Sequence, residues 1–202
     1  MTWINTVSFE ESSGPLRSLY DRVRSSEGQI DQILMAHSLR PHSLTGHMTL
    51  YKNVLHHHAN TLPKWYLETI GVFVSQLNKC EYCVQHHFHG LKRLLDDDAR
   101  VNAIWQAIQS GRLEQTLDSK HVKGLDYARA LTLEPAKVAS SMVEAMREAG
   151  FDDGEILEVN QVTAYFCYAN RTVLGLGVSI AGEVLGLSPH DDTAEDNWGH
   201  QS

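Results

Sequence analysis

An all-α fold is what this sequence predicts, on three observations. Apolar residues recur at spacings of three and four along most of the chain, which is the period of an amphipathic helix. Val and Ile seldom alternate with polar residues over a strand length, so the pattern of a half-buried strand is missing. Pro, Gly and Asp fall at the edges of the periodic segments, where helices start and stop.

The elements follow in order. Leu16, Leu19, Tyr20 and Val23 make a short amphipathic helix that ends near Gly28. Ile30, Ile33 and Leu34 continue helically towards Pro41, which should end that segment because proline lacks the N–H a helix interior needs. Residues 43–58 read as another helix, with Leu44, Met48, Tyr51 and Leu55 on one stripe. The run from Pro63 to Leu77 is apolar on all sides, so it is expected to be buried. Asn78-Lys79 breaks it, and a new helix starts around Cys80 and carries Leu91, Leu94 and Leu95. Asp96-Asp97-Asp98 caps the next helix, where negative charge suits the N-terminal dipole. That helix bears Val101, Ile104, Trp105 and Ile108 and stops at Gly111. Residues 118–131 and 135–149 follow as amphipathic helices, and Gly150-Phe151-Asp152-Asp153 ends one helix and caps another. A long apolar helical region is expected over 156–187. One domain is therefore expected over 1–187, with 188–202 a polar, acidic, mobile tail. Leu67-Glu68 and Leu157-Glu158 each open an apolar run, with Cys80 and Asn170 twelve residues past each Glu. Chance accounts for so short a match; a real repeat would mean two related helical halves.

The composition excludes some functions. At 42% hydrophobic, 202 residues bury a substantial core. A net charge of −8 and no basic run longer than Lys92-Arg93 argue against nucleic acid. No apolar stretch approaches the ~18 residues of a membrane span. The first residues lack the basic flank and apolar core of an export signal. Three cysteines are too few for a disulfide framework, so a cytoplasmic, reducing location is expected. There a C-x-x-C pair is more often catalytic or metal-binding than structural.

That pair is Cys80-Glu81-Tyr82-Cys83, followed by Val84-Gln85-His86-His87 and preceded by Glu68 on the apolar run. Two thiols three residues apart close a disulfide locally and so cycle without refolding. On a helix Cys80, Cys83 and His87 fall within about 60° of one another. A helix that begins near Cys80 aims unpaired N–H groups at the first thiols and lowers their pKa. His87 accepts or returns a proton near neutral pH. Glu68, if folded back across the break, sets that ring's tautomer, and an acid on an apolar helix is costly unless paired.

The string E-x11-C-E-Y-C-x3-H, from Glu68 to His87, resembles the AhpD-like / carboxymuconolactone decarboxylase superfamily. It looks closest to the peroxidase-related, alkylhydroperoxidase-domain subgroup. Weaker agreement covers residues 150–178, including Asn170-Arg171. The resemblance implies an all-helical AhpD-like fold, homo-oligomerisation, and thiol peroxidase or disulfide reductase chemistry. By it, Cys83 matches the peroxide-attacking cysteine, Cys80 the resolving one, and Glu68 and His87 the proton relay. One position departs: AhpD peroxidases carry a histidine between the cysteines, and here that residue is Tyr82, a poor base at neutral pH. The scheme takes a hydroperoxide as substrate and an external thiol or dithiol as reductant, and requires no metal, flavin or haem. Alternatives are a disulfide reductase or redox relay, and a helical oligomer whose thiols sense oxidants or hold zinc through Cys80, Cys83, His87 and a carboxylate. Decarboxylase or lactone chemistry is more distant, since nothing marks a substrate-acid pocket.

Other residues read more plainly. Consecutive helical residues point apart, so His56-His57-His58 cannot chelate one ion together. His86 and His89 read as solvated or packing residues and Tyr82 as packing. Cys167, in an aromatic run, reads as a small buried hydrophobe. Arg171 is open to a carboxylate or a neighbouring subunit.

Overall fold

The computed structural model describes residues 2–189 and 198–201. The chain is helical, as the periodicity predicts. In order come α1 (Gly14–Val23), α2 (Gln32–Met35), α3 (Pro41–Tyr51), a π-helical turn (Lys52–His56), α4 (Lys64–Leu77), α5 (Glu81–Leu95), α6 (Asp98–Ser110), α7 (Ser119–Leu133), α8 (Ser140–Glu148) and α9 (Asp153–Leu176). Single 3-10 turns lie at Leu113–Gln115 and Pro135–Lys137.

α4 is the axis of the molecule. Every residue from Tyr66 to Ser75 is buried, because α5, α9 and α7 pack around it. A helix apolar all round has no solvent face to offer and must sit at the centre. Gly71 lets α9 approach closely: a Cβ there would lie 2.3 Å from the Phe166 ring. The long helix α9 is held to the entry of α4 by Glu158, whose carboxylate accepts the Thr61 and Leu62 N–H groups at 2.7 and 2.8 Å.

Caps fall where the sequence places them. Asp97 accepts the Arg100 N–H at 3.0 Å and opens α6, which ends at the left-handed Gly111. Asp118 caps α7. Asp152 and Glu155 form a reciprocal capping box on α9. Some boundaries differ. Pro41 opens α3 rather than merely ending the preceding segment, since the missing N–H costs nothing in a first turn. The helix expected over 43–58 changes to π geometry at Lys52. The helical region expected to reach residue 187 stops at Leu176, because Gly177 takes a left-handed conformation (φ 63°) and turns the chain back.

The segment expected to be a mobile tail is paired where it is described. Ser188–Pro189 and His200–Gln201 form a two-stranded antiparallel ladder. Trp198 is buried in the core, with the Arg22 guanidinium 3.9 Å from its ring centroid. The remaining tail residues, 190–197 and 202, lie outside the described residues.

Gly71→Ala is expected to cost about 1–3 kcal/mol through overpacking against Phe166, read as a lowered urea midpoint. Gly90→Ala serves as the control, since its Cβ would meet only the Glu68 carboxyl at an ordinary 3.5 Å.

Candidate functional site

The α4–α5 link creates the site. Asn78 ends α4, Lys79 turns the chain with φ 57°, and Cys80 is the N-cap of α5. The Cys80 N–H donates back to Ser75 O at 2.9 Å, so the thiol is fixed where the first N–H groups of α5 are unpaired. Both thiols are free and buried, Cys80 fully and Cys83 to 3% exposure.

The two sulfurs are not equivalent. Cys80 is held below the usual thiol pKa, first by the hydrogen bond from the Cys83 S–H, against burial, and then by the Cys83 N–H and the Asn170 amide. Cys83 is pushed well up by the same hydrogen bond, which it donates, together with burial and the neighbouring charge on Cys80. Of the two, Cys80 is therefore the sulfur that ionises first.

Asn170 is a site residue to which the sequence reading gave no role. It is fully buried and its amide favours the thiolate form of both cysteines. Its Oδ1 accepts from Asn78 Nδ2 at 2.9 Å and its Nδ2 donates to Ser75 Oγ at 3.0 Å. Its signals in the sequence are its position twelve residues past Glu158, matching Cys80 past Glu68, and its place in the weaker family agreement at Asn170-Arg171.

Glu68 and His87 meet. His87 Nδ1 lies 2.7 Å from Glu68 Oε2, which leaves Nε2 for other chemistry. The ring is braced edge-on by Phe166, with centroids 4.5 Å apart. Burial drives the Glu68 carboxyl pKa up, but His87, His56 and Arg93 together bring it below the ordinary value. His56 Nε2 is 4.0 Å from Glu68 Oε1. Of the histidine triplet, His56 alone turns inward, carried by the π turn; His57 and His58 stack on each other outside.

Cys83, Glu68 and His87 line one cavity with Tyr51, His47, Tyr165, Tyr82 and His86; Cys80 lies behind its wall. The volume open to water centres is about 40 Å³, where one water needs roughly 10–15 Å³. The cavity thus has room for about three waters. Its roof is the segment that follows α9: Gly186, Leu187 and Ser188 close it. Gly186 packs on the His89–Gly90 backbone so tightly that a Cβ would come within 2.9 Å, and Arg93 donates to Ser188 Oγ at 3.1 Å.

Tyr82 is buried, and its hydroxyl accepts from the Ile33 N–H at 3.3 Å and donates to Glu183 at 3.2 Å. Burial, with Asp31 and Glu183 nearby, holds its pKa well above the ordinary phenol value, so it is no base. His86 is buried and bound to Glu183 at 2.7 Å, so of the two expectations for it, solvated or packing, it is not solvated. His89 is half-buried on the Gln85 carbonyl. Cys167 is half-buried, 3.9 Å from Asn78 Nδ2. Arg171 is exposed and donates to the Cys167 carbonyl. Among the described residues no group of three or more His, Cys, Asp or Glu side chains is placed to hold a metal ion, and no helix is long and apolar enough to cross a membrane.

Comparison with known proteins places the fold. No family model matches the sequence, and no curated protein is similar to it. Solved structures do match. A peroxidase-related protein of Ralstonia eutropha JMP134 with an alkylhydroperoxidase AhpD core aligns with a TM-score of 0.76 at 20% identity, over 91% of this chain and 97% of its own. A peroxidase-related protein of Silicibacter sp. TM1040 aligns at 0.71 and 23% identity, over 86% and 91%. The debrominase Bmp8, in complex with 2,3,4-tribromopyrrole, aligns at 0.65 and 15% identity, over 90% and 91%. The chain has the AhpD-like fold.

Two outcomes test the electrostatics. Asn170→Asp replaces a donor with a negative charge, so the pH profile of thiol alkylation should move up by about one unit or more. Glu68, with its pKa depressed in the folded state, contributes stability that is present above the ordinary carboxylate pKa and lost as pH falls through its lower folded value. His87→Ala leaves that charge short of its main partner and should cost about 3–5 kcal/mol near neutral pH. In denaturant titrations this deficit should shrink as the pH drops below the carboxylate range.

Proposed function

We propose that this protein is a thiol-dependent hydroperoxide reductase that cycles Cys80 and Cys83 between dithiol and disulfide. The observation that carries the reading is the division of labour between the thiols. Cys83 opens into a cavity that also holds the Glu68–His87 pair, and Cys80, hydrogen-bonded to Cys83, is not part of its lining.

The chemistry begins with a proton shift along the existing hydrogen bond. Cys83 passes its S–H proton to the Cys80 thiolate, which moves the negative charge to the sulfur that faces the cavity. Cys83 then attacks the terminal oxygen of the hydroperoxide. An S–O bond forms, the O–O bond breaks, and the alcohol leaves with one added proton; Cys83 becomes a sulfenic acid. Cys80 displaces the sulfenic oxygen as water, closing the disulfide. His87, oriented by Glu68, holds and returns protons during these steps. An external thiol or dithiol supplies two electrons and two protons, one of which is released as Cys80 returns to the thiolate.

A disulfide reductase or relay role is the second reading, supported by the same thiols; comparing rates on a hydroperoxide and on a small disulfide separates the two. A homo-oligomer is also proposed, and the exposed Leu157, Tyr168 and Leu174 of α9 are apolar surface of the kind that subunits cover.

Reduced protein given one equivalent of hydroperoxide, then alkylated and read by mass spectrometry, should show a Cys80–Cys83 disulfide with Cys167 still alkylated. Cys83→Ser should abolish turnover. Cys80→Ser should stop at a Cys83 sulfenic acid that a dimedone-type probe traps. Normal turnover in Cys83→Ser rules the mechanism out.

A further inference from the structure

The Glu68–His87 pair has a counterpart on the other side of Cys83. On α5, at about 100° per residue, His87 lies some 40° to one side of Cys83 and His86 about 60° to the other. Both line the cavity, and each is bound to a buried carboxylate at 2.7 Å. The attachments are reversed. His87 uses Nδ1 on Glu68, while His86 uses Nε2 on Glu183 Oε2, so Nδ1 of His86 is the ring atom left for a substrate. Glu183 belongs to the roof segment after α9. It is fixed by the Gln32 N–H and by the Tyr82 hydroxyl, whose ring lies against His86 with centroids 4.5 Å apart. Two carboxylate-backed imidazoles thus flank one sulfur.

Displacement on a peroxide has two protonic demands at two places. The attacking sulfur must lose a proton, and the leaving oxygen, in line beyond the attacked one, must gain one. Resting on the hydroperoxide reductase reading above, we propose that His86, backed by Glu183, is the general acid for the leaving oxygen, while the sulfur's own proton passes to Cys80. In the step, the Cys83 electron pair forms the S–O bond and the O–O bond breaks towards the leaving oxygen. His86 Nδ1–H gives that oxygen its proton, so an alcohol departs rather than an alkoxide. The imidazole regains a proton from water before the next turnover. Sulfur is oxidised by two electrons and the peroxide is reduced by two. The carboxylate of Glu183 stabilises the imidazolium, and Tyr82 and Gln32 hold that carboxylate in place.

The test uses oxidants that differ in their need for a proton. tert-Butyl hydroperoxide expels an alkoxide and requires an acid; peracetic acid expels acetate and does not. Stopped-flow rates of Cys83 oxidation are measured with both oxidants on the full-length reduced protein, for wild type, His86→Gln and Glu183→Gln. The ratio of the hydroperoxide rate to the peracid rate should fall by about 10²-fold or more in His86→Gln, the range of general acid catalysis. Glu183→Gln should lower it in the same direction by a smaller factor, and stands in should His86→Gln fail to fold. Parallel losses on both oxidants, with the ratio unchanged, would mean that the pair only shapes the cavity, and overturn the proposal. Wild type that reacts with peracid but not with tert-butyl hydroperoxide also overturns it. Wild type that reacts with neither defeats the peroxidase reading itself.

Discussion

A carboxylate at the centre of the molecule sets the terms for everything around it. Glu68 sits on the buried helix α4, at 3% exposure, where an unpaired charge is untenable. Its charge persists only because His87 from α5 binds it and His56 and Arg93 add positive potential. These partners come from the π turn and from two successive turns of α5. One carboxylate therefore draws together the segment before α4 and the helix after it. The same Arg93 reaches Ser188 at the cavity roof, so the roof and the buried charge share a residue. Side chains on three separate segments are committed to one arrangement, and the cavity beside Cys83 is the space they leave.

The thiols illustrate how charge and access can be assigned to different atoms. The N-cap position and the Asn170 amide favour charge on Cys80, which is fully buried and not part of the cavity lining. Cys83 faces the cavity but is the hydrogen-bond donor and holds its proton. The local C-x-x-C geometry keeps disulfide closure short.

The AhpD-like scaffold is shared by peroxidase-related proteins and by a debrominase. Chemistry on it is decided by what lines the cavity rather than by the helices that enclose it. In this chain the lining holds imidazoles on both sides of the cavity-facing thiol, a tyrosine between the cysteines that donates to Glu183, and a roof built from the residues past α9. Tyr82 is a structural strut for Glu183 and not a base, and its high pKa follows from burial and the two nearby carboxylates.

Local information in the sequence determined the helices, their caps and the meeting of Glu68 with His87. A period of three to four, a proline at a helix start, an aspartate at an N-cap and thiols one turn apart are all short-range patterns. The buried character of α4 was legible too, because ten residues in a row without an outward polar face leave no other place for it. Where α9 ends was misread because the apolar run continues past Gly177; a left-handed glycine ends a helix by backbone geometry, which hydropathy does not report. The partners of His86, Tyr82 and Asn170 were hidden for a different reason. Glu183 is 97 residues from His86, and Asn170 is 92 from Asn78, so no spacing rule connects them. Whether His86 is solvated or bound, which sulfur holds the charge, and which residues roof the cavity are set by long-range packing and the desolvation it imposes. Those were decided only when the helices closed around α4.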